Sequence, residues 1–154
     1  MKASKLLKII QDELKDYPID YLKNKVTDER YKDPLTKKLA KYNSEIYDEI
    51  YSYELTDDFE ISDKEIKDIK NDINYYFEKY IPCDLENNEF TKYISLYLAL
   101  IVKKPLHPFS DDKNDERYVL DDSYYCKERI KSLHVNKSLC KYCVCENVGY
   151  MDLF

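Results

Sequence analysis

The 154-residue chain holds one glycine, Gly149, one glutamine, no tryptophan and no apolar run longer than Ile94 to Val102. A single glycine excludes the Gly-rich loops whose backbone cradles phosphates, so neither a P-loop nor a dinucleotide-binding turn is available. The longest apolar run is about half of the ~20 residues that cross a bilayer, which predicts no membrane association. The N-terminal lysines resemble the start of a signal peptide, but Lys8, Gln11, Asp12 and Glu13 interrupt its apolar centre. A soluble, cytoplasmic protein is expected, in a compartment that keeps thiols reduced. No Ser/His/Asp set and no carboxylate pair stands out from the charged background.

What the chain does have is charge and tyrosine. Acidic groups number 31 against 25 basic ones, a net charge of -6, which argues against a dedicated nucleic-acid binder. The charge is segregated: residues 1–44 carry 11 basic and 7 acidic groups, residues 45–89 carry 4 and 15, and Cys126 to Cys145 carry 5 and 1. Segregation of this kind is ordinarily a matter of solvated helix faces. The 17 tyrosines read as core and boundary residues with polar tips.

Hydrophobic periodicity predicts a mainly α protein, an antiparallel bundle of about four to five helices within a single domain. Leu7, Ile10, Leu14 and Tyr17 form a first stripe behind Ser4 as N-cap, closed by Pro18. Tyr21, Leu22 and Val26 mark a short second piece. Leu35, Leu39, Tyr42, Ile46, Ile50 and Tyr53 form a long stripe that begins at Pro34. Ser62 to Glu65 is a capping box for a helix carrying Ile66, Ile69, Ile73, Tyr76 and Tyr80, with Pro82 beyond its end. From Phe90 to Val102 the pattern is apolar nearly all round, which predicts a central helix, although Ile94, Leu96, Leu98 and Leu100 also alternate as a strand would.

The bundle is expected to span residues 1–104, and residues 105–154 form a different structure, a Cys-rich tail. Polar residues 110–116 predict a surface loop, and Arg117 to Leu120 with Ser123 to Cys126 predict a small β-hairpin around Asp121 and Asp122. Four of the five cysteines fall here: Cys126, Cys140, Cys143 and Cys145. A reducing compartment makes such a cluster a metal site before a disulfide framework. Cys140 and Cys143 have the spacing of a turn that brings two thiolates to one ion, and Cys126 at the hairpin end supplies a third. His107, Cys145 and His134 are the candidates for the fourth. His107 is preferred because Pro105 and Pro108 stiffen its backbone, and it completes a closed Cys3His zinc site. An iron–sulfur cluster on Cys126, Cys140, Cys143 and Cys145 is the alternative cofactor. Cys83, alone after Pro82, reads as an ordinary thiol.

His107-Pro108-Phe109, Tyr124-Tyr125-Cys126 and Leu139-Cys140-Lys141-Tyr142-Cys143-Val144 together resemble the C-terminal pattern of an archaeal family, chiefly of methanogens, named domain of unknown function 2115. That pattern has a His-Pro, a Tyr-Cys-Pro-x-Lys and a Leu-Cys-x-Phe-Cys-Val. Here Lys127 replaces the proline and Tyr142 the phenylalanine, and Cys145 stands where a small residue is usual. The resemblance implies His107, Cys126, Cys140 and Cys143 as the shared positions, with Cys145 a local addition. It implies no activity.

The expected function is therefore a small interaction module whose tail is fixed by structural zinc and meets a protein partner. An iron–sulfur or thiol redox protein is the second class. A zinc enzyme with an open ligand position, using Asp121 or Glu128 as acid or base, is the third.

Overall fold

A computed structural model describes residues 1–133, 135 and 137–148. His134, a candidate ligand, and Gly149 lie outside the described residues. Five α-helices lead the chain: α1 (Ala3–Leu14), α2 (Ile19–Thr27), α3 (Pro34–Ser52), α4 (Asp63–Tyr80) and α5 (Leu85–Leu96), the last continuing as a π-helical segment (Tyr97–Val102). Strands β1 (Arg117–Leu120) and β2 (Ser123–Cys126), a short α6 (Arg129–Ser132), a 3-10 turn (Leu139–Tyr142) and β3 (Glu146–Asn147) follow. Among the described residues, no helix is long and apolar enough to cross a membrane.

Helix boundaries follow local chemistry. Pro34 occupies the first turn of α3, where its missing N–H costs nothing, and the Asp33 carboxylate caps the Leu35 N–H at 3.1 Å. The Ser62 hydroxyl accepts from the Glu65 N–H, as the capping box requires. Ser4 is not a cap. The extended residue before α1 is Lys2, and Ser4 lies in the first turn with its N–H and hydroxyl both donating to the Asp58 carboxylate, 2.8 and 2.7 Å away. A partner remote in sequence took the side chain that a local reading assigned to the helix end.

The apolar stripes are partly rotated from expectation. On α4, Ile66, Ile69, Ile73 and Phe77 are buried, whereas Tyr76 and Tyr80 are exposed. On α3 the buried residues are Ala40, Ser44, Ile46 and Ile50, and Leu35 is exposed. Amphipathic tyrosines satisfy a 3.6-residue period on either side of the seam, so the pattern fixes the face only approximately.

Helix α5 packs against α1, α3 and α4, and every residue from Tyr93 to Ile101 is buried. The alternating strand is thus not formed. The wider π turns end at Lys103, which takes the left-handed conformation at φ 56°, and the Lys104 N–H bonds back to the Leu98 carbonyl at 3.0 Å. Such widened turns are characteristic of functional sites. Tyr97 is fully buried, and its hydroxyl donates to the Glu49 carboxylate at 2.6 Å, with Lys104 on the other carboxylate oxygen.

The hairpin forms where it was expected, with Leu120 opposite Ser123 and Arg117 opposite Cys126. Its two turn residues, Asp121 and Asp122, both have positive φ, 50° and 65°, a conformation that aspartate tolerates better than most residues. Strand β3 was not foreseen. It pairs parallel to β2, setting Asn147 beside Cys126 and returning the last cysteines to the hairpin end.

Candidate functional site

A cavity of about 550 Å3 lies between the helices and the tail. Phe90, Ile94 and Leu98 from α5 and the π segment line it on one side, and Leu106 and Leu139 add to the apolar lining. His107, Cys126, Cys140, Cys143 and Cys145 all line it too, together with Arg117, Glu128 and Arg129. The chain thus draws five candidate ligands from four separate segments to one space. All five cysteines are free thiols, and Cys83 stands apart, exposed.

Each donor is placed by its own local structure. Cys126 ends β2 and is buried. Cys140 and Cys143 bracket the 3-10 turn: the Ser138 hydroxyl accepts from the Cys140 N–H at 3.2 Å, and the Cys143 N–H returns to the Cys140 carbonyl at 3.2 Å. That is the back-folded turn expected of Cys-x-x-Cys spacing. Cys145 is buried just before β3, and its side chain acts on that of Cys143. Part of the His107 surface is open to solvent, where the cavity shares Leu39, His107 and Arg117 with a second, more open depression, and the rest is enclosed by protein.

The electrostatics divide the Cys143 and Cys145 pair into unequal partners. The hydrogen bond from the Cys145 thiol, helped by the Cys145 and Leu106 N–H groups and the Arg129 charge, brings Cys143 down to about 6 despite its burial. Cys145 is pushed far up, first by that same bond, then by burial and by the charges of Cys143 and Cys126. Of the two, Cys143 is the readier to lose its proton and Cys145 the one that keeps it. His107 is held down at about 4, by the surrounding protein mass first and by Arg117 second, so its imidazole is neutral at physiological pH. Among the described residues, no three His, Cys, Asp or Glu side chains are gathered closely enough to hold an ion as they stand.

Three residues of this region escaped the sequence reading. Arg129 donates from Nε to the Cys140 carbonyl at 3.2 Å and from Nη1 to Asn147 Oδ1 at 3.1 Å, tying the 3-10 turn to β3. Arg117, the first residue of β1, lines the cavity. Asp72, buried on α4, accepts from the Tyr142 hydroxyl at 3.2 Å and pairs with Lys141 at 3.1 Å and Lys137 at 3.7 Å. Of the three, only Arg129 belongs to the excess of basic residues between Cys126 and Cys145 that the sequence displays. Asp121 and Glu128, considered as acid or base, differ in position: Asp121 is an exposed hairpin-turn residue, and Glu128 lines the cavity, paired with Lys131 at 3.2 Å.

The profile of an archaeal family, described as an uncharacterized protein conserved in archaea (DUF2115), matches residues 2–148. The UPF0305 protein MJ0646 of Methanocaldococcus jannaschii is similar over 96% of this chain and 98% of its own length, at 29% identity. No solved structure matches. The chain belongs to the DUF2115 family.

Proposed function

We propose that this member of the archaeal DUF2115 family is an interaction module, one domain built on an antiparallel helical bundle, whose tail is locked by a structural zinc ion. The ligands in this reading are His107, Cys126, Cys140 and Cys143. One observation carries it: Cys143, made more acidic than an ordinary thiol, lines one cavity with the other three donors. Thiolate and neutral imidazole are the forms that zinc takes, and His107 already holds its lone pair free of a proton at neutral pH. Cys145 then acts from outside the ligand set, its retained proton donating to the Cys143 sulfur and fixing that ligand's orientation. Side chains that line one cavity rotate onto one ion, and the basic tail between Cys126 and Cys145 is held as a surface for a protein partner.

Elemental analysis of untagged protein purified without chelator tests this, with about one zinc per chain expected. His107→Ala, Cys140→Ser and Cys143→Ser lose the metal, whereas Cys83→Ser and Cys145→Ser keep it. Folded protein without metal, or retention of metal by Cys143→Ser, overturns the reading.

The same polarised pair favours a second reading, thiol redox chemistry at Cys143 and Cys145. A thiolate beside a thiol is the resting state of a reactive dithiol. Visible absorption would point further, to an iron–sulfur cluster on the four tail cysteines.

A further inference from the structure

The cavity holds more than its thiols require. Arg117 and Arg129 both bring guanidinium charge to it: Arg117 acts on His107 and Cys145, and Arg129 acts on Cys143. Neither is neutralised by a tight carboxylate. Arg117 pairs with its sequence neighbour Glu116 at 3.5 Å and also acts on Glu128, and Arg129 spends Nε and Nη1 on neutral oxygens. Glu128, the one carboxylate in the lining, is shared between Lys131, at 3.2 Å, and the charge of Arg117. The same cavity is lined by Phe90, Ile94 and Leu98, and by Thr91 and Ser95 from the same helical stretch. An apolar wall facing a few convergent polar groups is the usual form of a small-molecule site, and about 550 Å3 is within the range such sites occupy.

We propose that this cavity binds a small organic anion, a carboxylate with a compact apolar body, its charge on Arg117 and Arg129 and its body against Phe90, Ile94 and Leu98. A guanidinium fork matches the two oxygens of a carboxylate, and Arg129 keeps Nη2 without a hydrogen-bond partner among the described residues. The apolar lining excludes a bare inorganic anion as the best occupant, because it would be desolvated against Phe90 and Leu98 with nothing gained there. This inference concerns the same cavity as the zinc reading but does not need the metal.

Calorimetry on the full chain with benzoate, benzamide and inorganic phosphate tests the inference, metal content being measured on each sample. Benzoate is expected to bind at least about tenfold more tightly than either of the others, a difference of about 1.4 kcal/mol. Arg117→Gln and Arg129→Gln should each remove most of that preference, and Arg129→Lys should restore part of it. Since Arg129 also supports the tail, Arg117→Gln is the variant that keeps the outcome decisive should Arg129→Gln fail to fold. Benzamide binding as well as benzoate, phosphate binding better than benzoate, no binding by any of the three, or a preference that survives Arg117→Gln each overturns the proposal. A zinc-free sample that still prefers benzoate separates the two readings: the anion site stands and the zinc falls.

Discussion

Asp72→Ala is the substitution that most directly measures what holds the tail to the helices. Asp72 is 5% exposed and sits on α4, where it receives the Tyr142 hydroxyl, Lys141 and Lys137. Breaking a buried ion pair costs about 3–5 kcal/mol when a charge is left stranded in the interior. That figure is too large here, because Lys141 and Lys137 are 43% and 46% exposed and regain water when the carboxylate goes. A hydrogen bond to a charged group is worth about 1.5–3 kcal/mol, and relief of the carboxylate's own desolvation offsets part of the loss, which leaves about 2 kcal/mol. The loss is local. Leu139 and Tyr142 still pack against the core, so the tail should open more often without unfolding α1 to α5. Amide hydrogen exchange then accelerates about thirtyfold across residues 137–145, since 1.4 kcal/mol is a factor of ten. Exchange in α1 and α5 should stay as in the wild type, and Asp72→Asn, which keeps an acceptor for Tyr142, should fall between the two. Equal acceleration throughout the chain, or none in residues 137–145, would refute the idea that Asp72 is a clasp.

Two further perturbations probe the site and its support. In metal-free protein, His107 takes a proton near 4 when folded and near its ordinary 6.5 when unfolded. Between those values the unfolded chain binds more protons, so stability is greatest above 6.5 and declines as pH falls toward 4, and His107→Asn should flatten that part of a denaturant-midpoint profile against pH. Tyr97→Phe removes the hydroxyl that donates to Glu49 while Lys104 remains in place, and should lower unfolding free energy by about 1.5 kcal/mol in a urea titration. A change below about 0.5 kcal/mol would show that Lys104 alone satisfies the carboxylate.

The fold was legible where one physical signal dominated. Pro34, the Ser62 capping box and the Asp121 and Asp122 turn each act over a few residues, and each is found where its chemistry puts it. Ser4 failed because Asp58, 54 residues away, offered its N–H and hydroxyl a better partner than the helix end did. The rotation of the α4 stripe toward Phe77 has a related cause. Tyr76 and Tyr80 are as apolar as they are polar, and only the packing of α5 decides which face they lose. The π turns after Tyr97 left no local mark because a run that is apolar on every side fits an ordinary or a widened helix equally well.

The site was half legible for a more specific reason. Residue type and spacing carry information about ligands on the same turn, which is why the back-folding of Cys140 and Cys143 could be anticipated. They carry little about residues that meet across a parallel pairing as short as β2 with β3, and that pairing is what returns Cys143 and Cys145 to the end of the hairpin. Cys145 illustrates the consequence. Counting cysteines makes it either a ligand or a spare, whereas its place beside Cys143 suits it to a third role, a thiol that keeps its proton and makes its neighbour more acidic. Serine preserves a donor at that position and alanine does not. If the role is real, Cys145→Ser and Cys145→Ala should differ in the pH at which Cys143 reacts with iodoacetamide, the alanine variant titrating higher. If Cys145 were a ligand or a bystander, the two variants would titrate alike.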